Sequence, residues 1–154
     1  MSVKILFLDI DGVLGTLRSH YAYGESSIIS AWDITCCHMV KRLCTANGYK
    51  IVCSSTWRFD SKVIKHFSLY GLFDLLYEDW RTGADRDSRG EEIRAWLENH
   101  EEVTEYIILD DDSDFLPEQK ERHIKTQFND GFSAENFRKA DELMGGKFRE
   151  TYIT

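Results

Sequence analysis

Val3-Lys4-Ile5-Leu6-Phe7-Leu8-Asp9-Ile10-Asp11-Gly12 is the stretch whose reading decides the fold. A short, continuous apolar run reads as a buried strand. It stops at two acids that straddle Ile10. Extended chain alternates its side chains, so Asp9 and Asp11 leave the strand on the same side. Gly12 then permits a sharp turn or a close approach of the backbone to a ligand. A D-x-D-G tetrapeptide alone is equally explained by solvated acids and a turn glycine, so the rest of the chain must arbitrate.

Two further apolar runs end in polar residues. Lys50-Ile51-Val52-Cys53 stops at Ser54-Ser55, and Tyr106-Ile107-Ile108-Leu109 runs into Asp110-Asp111-Asp112-Ser113-Asp114. Residues 74–77 and 123–127 suit shorter strands. Helical patterns lie between. Asp33 reads as an N-cap for Ile34, Cys37, Val40 and Cys44, with Asn47-Gly48 closing that helix. Asp60 reads as the cap of a helix with Val63, Ile64 and Phe67 on its inner face, and Gly71 stops it. Ser88-Arg89-Gly90-Glu91 has the form of a capping box ahead of Ile93, Trp96 and Leu97. Ser133 precedes Phe137, Ala140, Leu143 and Met144. Residues 13–32, rich in Ser, Tyr and Gly, suit an irregular flap. Strands alternating with helices imply crossover connections and an α/β fold with a mostly parallel sheet. Ligands bind such sheets beyond the carboxyl ends of the strands, where Asp9, Ser54 and Asp110 would meet.

The chain has 154 residues, enough for a single domain over 1–154. It is 42% hydrophobic and 30% charged, with a single proline, Pro117, and no linker composition. No secretory leader is expected, because Asp9 ends the first apolar run at once. No stretch approaches a membrane span, so no membrane partner is expected. Cys36, Cys37, Cys44 and Cys53 make no C-x-x-C pair, which disfavours a zinc site or disulfide framework and suits a reducing cytoplasm. A net charge of -8 is ill suited to an extended grip on nucleic acid. It leaves a small anion possible, because charge within a cleft matters more than charge over the surface.

The two acid clusters carry the chemistry. Carboxylates about 4 Å apart repel by roughly 4 kcal/mol at an effective dielectric near 20, so acids that converge need a cation or a shared proton. Magnesium suits hard carboxylate oxygens and retained waters. The spacing of an EF-hand calcium loop is absent from both clusters. A hydroxyl of Ser54 or Ser55 can donate to a phosphate oxygen, although strand-end serines often bond local backbone. There is no G-x-S-x-G elbow for a serine hydrolase. Arg89 stands at the first position of a helix, where its guanidinium can fork two phosphate oxygens beside a favourable dipole. Arg58, Arg81 and Arg86 are rival cations. Trp57 reads as a packing aromatic. The five histidines form no metal-binding pattern, and no P-loop is present.

Four ordered segments resemble the haloacid dehalogenase (HAD) superfamily of phosphohydrolases: Phe7-Leu8-Asp9-Ile10-Asp11-Gly12-Val13-Leu14, Ile51-Val52-Cys53-Ser54, Arg89, and Ile107-Ile108-Leu109-Asp110-Asp111. Ser55-Thr56-Trp57-Arg58, Glu92-Ile93-Arg94-Ala95-Trp96-Leu97, Leu109 through Phe115 and Lys125-Thr126 are similar to the HAD domain of Swiss Army Knife RNA repair proteins.

The resemblance implies a three-layer Rossmann-like fold with a minimal cap or none, since the insert after Asp11 is too short for a domain. It implies Asp9 as the nucleophile that forms an aspartyl-phosphate and Asp11 as general acid and base. Mg2+ would be held by Asp9, the Asp11 carbonyl and Asp111. Gly12, Ser54, Ser55 and Arg89 would line the phosphate, with Arg58 and Asp110 in support. A bare site implies a substrate such as a nucleotide or nucleic-acid end. The alternatives are a sugar-phosphate phosphatase and a phospho-accepting receiver. A receiver carries an adjacent acid pair near its first strand, whereas Asp9 and Asp11 are split by Ile10.

Overall fold

The computed structural model describes residues 2–23, 32–84 and 86–148. In chain order the elements are β1 (Val3–Leu8), α1 (Leu17–Tyr23), α2 (Ile34–Asn47), β2 (Lys50–Cys53), α3 (Val63–Leu69), β3 (Leu76–Arg81), α4 (Arg89–Glu98), β4 (Val103–Asp110), β5 (His123–Lys125) and α5 (Ala134–Met144). Short 3-10 turns span Thr56–Phe59, Phe73–Leu75 and Pro117–Arg122. The strands pair in the order β3-β2-β1-β4-β5, every pair parallel. The mostly parallel sheet expected from the alternating pattern is therefore present, in a Rossmann-like arrangement with no large cap among the described residues.

The alternation of side chains along β1 divides the core in two. Leu6 and Leu8 face α2, α3 and α5, packing with Val40, Leu43, Cys44, Phe67 and Ala140. Ile5 and Phe7 face α4, packing with Ile93, Trp96, Ile108 and Phe115. Each such aliphatic side chain taken fully from water contributes about 1.5–3 kcal/mol, which fixes register, since a one-residue slip would exchange the two faces. All four cysteines are buried on this scaffold.

The caps read from the sequence act largely as expected. Asp33 Oδ1 accepts from Cys36 N, and Gly48, at φ 73°, closes α2. Ser88 Oγ accepts from Glu91 N, without the return bond that the expected capping box would add, and Ser133 and Asn136 bond reciprocally at the start of α5. Four expectations shift. Asp60 accepts from Lys62 N, ahead of α3, and does not cap the helix itself. The strand expected at 74–77 is Leu76–Arg81, because Phe73–Leu75 coils first. Ile34 and Leu143, expected inward, lie on the exposed margins of their helices. Within the stretch read as an irregular flap, Leu17–Tyr23 is helical and Val13 and Leu14 are core residues, while 24–31 lie outside the described residues. No helix among the described residues is long and apolar enough to cross a membrane.

The fold positions the site through one row of backbone bonds. Thr82 N donates to Cys53 O, Ser54 N to Leu8 O, Asp9 N to Leu109 O and Thr126 N to Asp110 O, at 3.0–3.2 Å. Each donor is the first residue past its strand or one beyond it, and each bonds the neighbouring strand's last carbonyls. The carboxyl edge is thus a ledge on which Thr82, Ser54, Asp9, Asp110 and Thr126 stand side by side. Leu8, Cys53 and Leu109 face the α2/α5 side. The period of two therefore sends Asp9, Ser54 and Asp110 toward α4.

Candidate active site

The first residue of α4 meets this ledge. Arg89 Nη1 lies 2.6 Å from Asp110 Oδ2 and 3.3 Å from Asp9 Oδ2. Asp9, Asp110 and Asp111 each offer an oxygen within 4.8 Å of the others. Asp9 is 4% exposed and Asp110 is 0% exposed. Burial, and then the Asp110 charge, push the Asp9 carboxyl up from 3.8 to about 8, although Arg89 pulls the other way. Burial and Asp110 likewise raise Asp111. Burial works against the charge on Arg89, but Asp9 and Asp110 outweigh it and push its pKa up. Asp110 is already satisfied: Oδ2 accepts from Arg89 and Oδ1 from Asp112 N.

Three acids that converge, with one guanidinium paired to two of them, leave uncompensated negative charge in a poorly solvated place, which must take up a proton or a cation. The donors are hard oxygens, so the residues fit magnesium. With Asp110 committed to Arg89, Asp9 and Asp111 are the side chains left to hold it. Gly12 makes room for Asp111. At φ 85° it adopts a backbone that L side chains avoid, and a Cβ there would fall 2.3 Å from Asp111 Cγ. Its amide donates to Gly15 O and its carbonyl accepts from Thr126 Oγ1 at 2.5 Å. The described contribution of Gly12 is therefore space and anchorage, with its N–H already engaged.

The two serines differ. Ser55 Oγ accepts from Trp57 N and so caps the Thr56–Phe59 turn. Ser54 Oγ is fully buried with no hydrogen-bond partner. A buried, unsatisfied hydroxyl costs about 1–3 kcal/mol, and this one stands on the ledge beside Asp9.

Two side chains have roles their sequence positions did not disclose. Arg58, a rival phosphate cation on sequence grounds, is 3% exposed and donates to the carbonyls of Ser54, Ser55, Thr82 and Gly83 and to Glu92 Oε2. It braces the ends of β2 and β3 from beneath. Trp57 Nε1 donates to both Asp11 oxygens at 3.2 Å, while its ring packs edge-on against Trp32 and His66. The Asp11 carboxylate is exposed and held by Trp57, apart from the cluster of Asp9, Asp110 and Asp111. Only the S-x-W-R spacing hinted at this indole. Arg81 and Arg86 line a separate groove beside β3.

The acidic loop divides its labour. Asp110 and Asp111 enter the site, whereas Asp114 accepts from Arg89 N and Gly90 N and so fastens α4 to the loop. Gly90 permits that contact: a Cβ there would lie 2.7 Å from Gln119 Oε1 and 2.9 Å from Phe115 Cα.

The family model described as the HAD domain in Swiss Army Knife RNA repair proteins matches residues 5–137. No curated protein and no solved structure gives a match.

Proposed function

We propose that this chain, which belongs to the family of HAD domains in Swiss Army Knife RNA repair proteins, is a magnesium-dependent phosphomonoester hydrolase acting on a nucleotide or nucleic-acid terminal phosphate. The observation that carries this is the gathering of Asp9, Asp110 and Asp111 on the carboxyl edge of a parallel sheet, with Arg89 paired to Asp9 and Asp110. The nucleic-acid end is favoured over a small metabolite by the family description and by the absence of a large cap among the described residues.

Asp9 attacks phosphorus, forming an acyl-phosphate bond as the bond from phosphorus to the leaving oxygen breaks. Asp11, held by Trp57, gives its proton to that oxygen. A water then attacks phosphorus, Asp11 takes its proton, and the Asp9–phosphorus bond breaks to release inorganic phosphate. Ser54 Oγ and Arg89 donate to the nonbridging oxygens, and Asp110 holds Arg89 in place. Asp9, Asp111 and the Asp11 carbonyl would hold Mg2+, which would supply the positive charge that phosphoryl transfer requires and would favour ionised Asp9.

The test is phosphate release with magnesium from mononucleotides, 3'-phosphorylated oligonucleotides and sugar phosphates. Asp9→Asn abolishes release, and Asp11→Asn loses most turnover and accumulates phospho-enzyme. Full activity in either variant refutes these roles. Turnover confined to sugar phosphates makes the protein a metabolite phosphatase, and a single slow phosphorylation without release makes it a receiver-like acceptor.

A further inference from the structure

The ledge extends one strand beyond the residues used so far. Thr82 occupies the same row as Ser54 and Asp9, bonding Cys53 O as Ser54 bonds Leu8 O. At a strand spacing near 4.8 Å it stands roughly 10 Å from Asp9, with Ser54 between them. Its hydroxyl repeats the condition of Ser54 Oγ: Thr82 is 1% exposed, and Oγ1 has no hydrogen-bond partner. Each of these two hydroxyls on adjacent strand ends is costly until a hydrogen-bond partner serves it.

Thr82 lines a groove of about 410 Å³ between β3 and α4, a volume suited to one nucleotide. Phe59, Arg81 and Arg86 line the same groove as Thr82. The Arg58 guanidinium lies 4.4 Å from the Phe59 ring centre, yet Phe59 is 54% exposed, so the rest of the ring remains open to a partner. Among the described residues the acids of the groove are engaged: Glu92 pairs with Arg58, and Asp79 Oδ2 lies 3.0 Å from His100 Nε2. The groove thus combines a hydroxyl donor, two cations and an aromatic face, which is the equipment for one nucleotide of single-stranded chain.

We propose that this groove holds the nucleotide adjoining the scissile terminal phosphate, with its phosphodiester on Thr82 Oγ1 beside Arg81 and Arg86 and its base on Phe59. This rests on the nucleic-acid-end reading and sharpens it: the substrate is a single-stranded oligonucleotide. A mononucleotide whose one phosphate occupies the Asp9 site has none to offer Thr82. One extended nucleotide, together with the reach of the side chains at its two ends, covers the distance between the sites. The net charge of -8 is compatible, because the grip is local.

Binding is read by fluorescence anisotropy with a labelled single-stranded RNA tetranucleotide lacking terminal phosphates, using the full chain and magnesium. Thr82→Val keeps the shape and removes the orphaned hydroxyl. Binding weakens about three- to tenfold, and the melting temperature stays level or rises. Phe59→Ala weakens binding about tenfold or more. The preference in kcat/KM for a phosphorylated tetranucleotide over a mononucleotide falls by similar factors, carried by KM. Undetectable binding by wild type, equal binding by both variants and wild type, or a lowered melting temperature in Thr82→Val with binding intact overturns the groove assignment. Tetranucleotide binding lost in both variants, in a protein that releases phosphate from no nucleic-acid end, supports the groove and refutes the terminal phosphatase.

Discussion

Asp9 is buried beside a second acid, and in the metal-free protein it keeps its proton to about pH 8 against an ordinary value of 3.8. Between those values the folded protein binds more protons than the unfolded chain. The stabilisation from that extra proton is complete below pH 3.8 and is lost as pH rises through about 8. Magnesium needs the carboxylate ionised. Its affinity should therefore climb from pH 6 to 8, by up to roughly tenfold per unit for one released proton. Calorimetric titration at several pH values reads the slope; a flat profile removes Asp9 as a proton-linked ligand. The serines give a second prediction. Ser54→Ala removes an unpartnered hydroxyl, so the melting temperature holds while KM rises several-fold. Ser55→Ala removes a cap and costs about 1 kcal/mol. Chemical denaturation with steady-state kinetics separates them; a KM unmoved in Ser54→Ala refutes its contact with substrate. At this scale the acids and Arg89 were legible because each abuts a strand end or a helix start. Trp57 meets Asp11 across 46 positions, and Arg58 turns inward onto carbonyls, and neither partnership leaves a local sequence pattern.

Among the elements, α4 determines where Arg89 stands, through a close approach that Gly90 permits. Gly90→Ala must displace backbone at Phe115 and Leu116. Overpacking of this kind costs about 1–3 kcal/mol, and the shift carries Arg89 away from Asp9. We expect kcat/KM to fall by more than the lost stability explains, since the variant stays folded at assay temperature; full activity in a destabilised variant refutes this positioning role. Strands and long helices were legible where apolar periodicity was strong, as in β1, β2, β4 and α2. α1 was not. Its seven residues place only Ser19 inside, while Tyr21 and Tyr23 are exposed, so no apolar stripe announces it. What starts it is local: Thr16 Oγ1 accepts from Ser19 N, and Ser19 Oγ accepts from Thr16 N. β3 was misplaced because Phe73–Leu75 resembles strand in composition and coils instead.

At the scale of the whole molecule, parallel order follows from right-handed crossovers between successive strands and helices, which is why fold class was readable before any site. Strand order was not, since it depends on which apolar edges meet after the chain collapses. A ligand that binds only the folded state stabilises all of it. Magnesium at a hundred times its dissociation constant should add about 2.7 kcal/mol, a rise in melting temperature of roughly 5–10 °C for a chain of this size. Asp111→Asn should lose most of that rise in differential scanning fluorimetry; an undiminished shift removes Asp111 from the metal. The interior thiols extend this global view. Cys36, Cys37, Cys44 and Cys53 are fully buried, and burial pushes them up, Cys36 to about 11 and both Cys44 and Cys53 to about 12. A thiol-reactive dye thus finds no target until the protein opens. When reclosing outpaces capture by the dye, the colour that develops counts openings, and saturating cation at the same hundredfold excess should slow it by about a hundredfold. The native chain therefore carries its own stopwatch for ligand occupancy, readable with no engineered probe and no knowledge of the substrate.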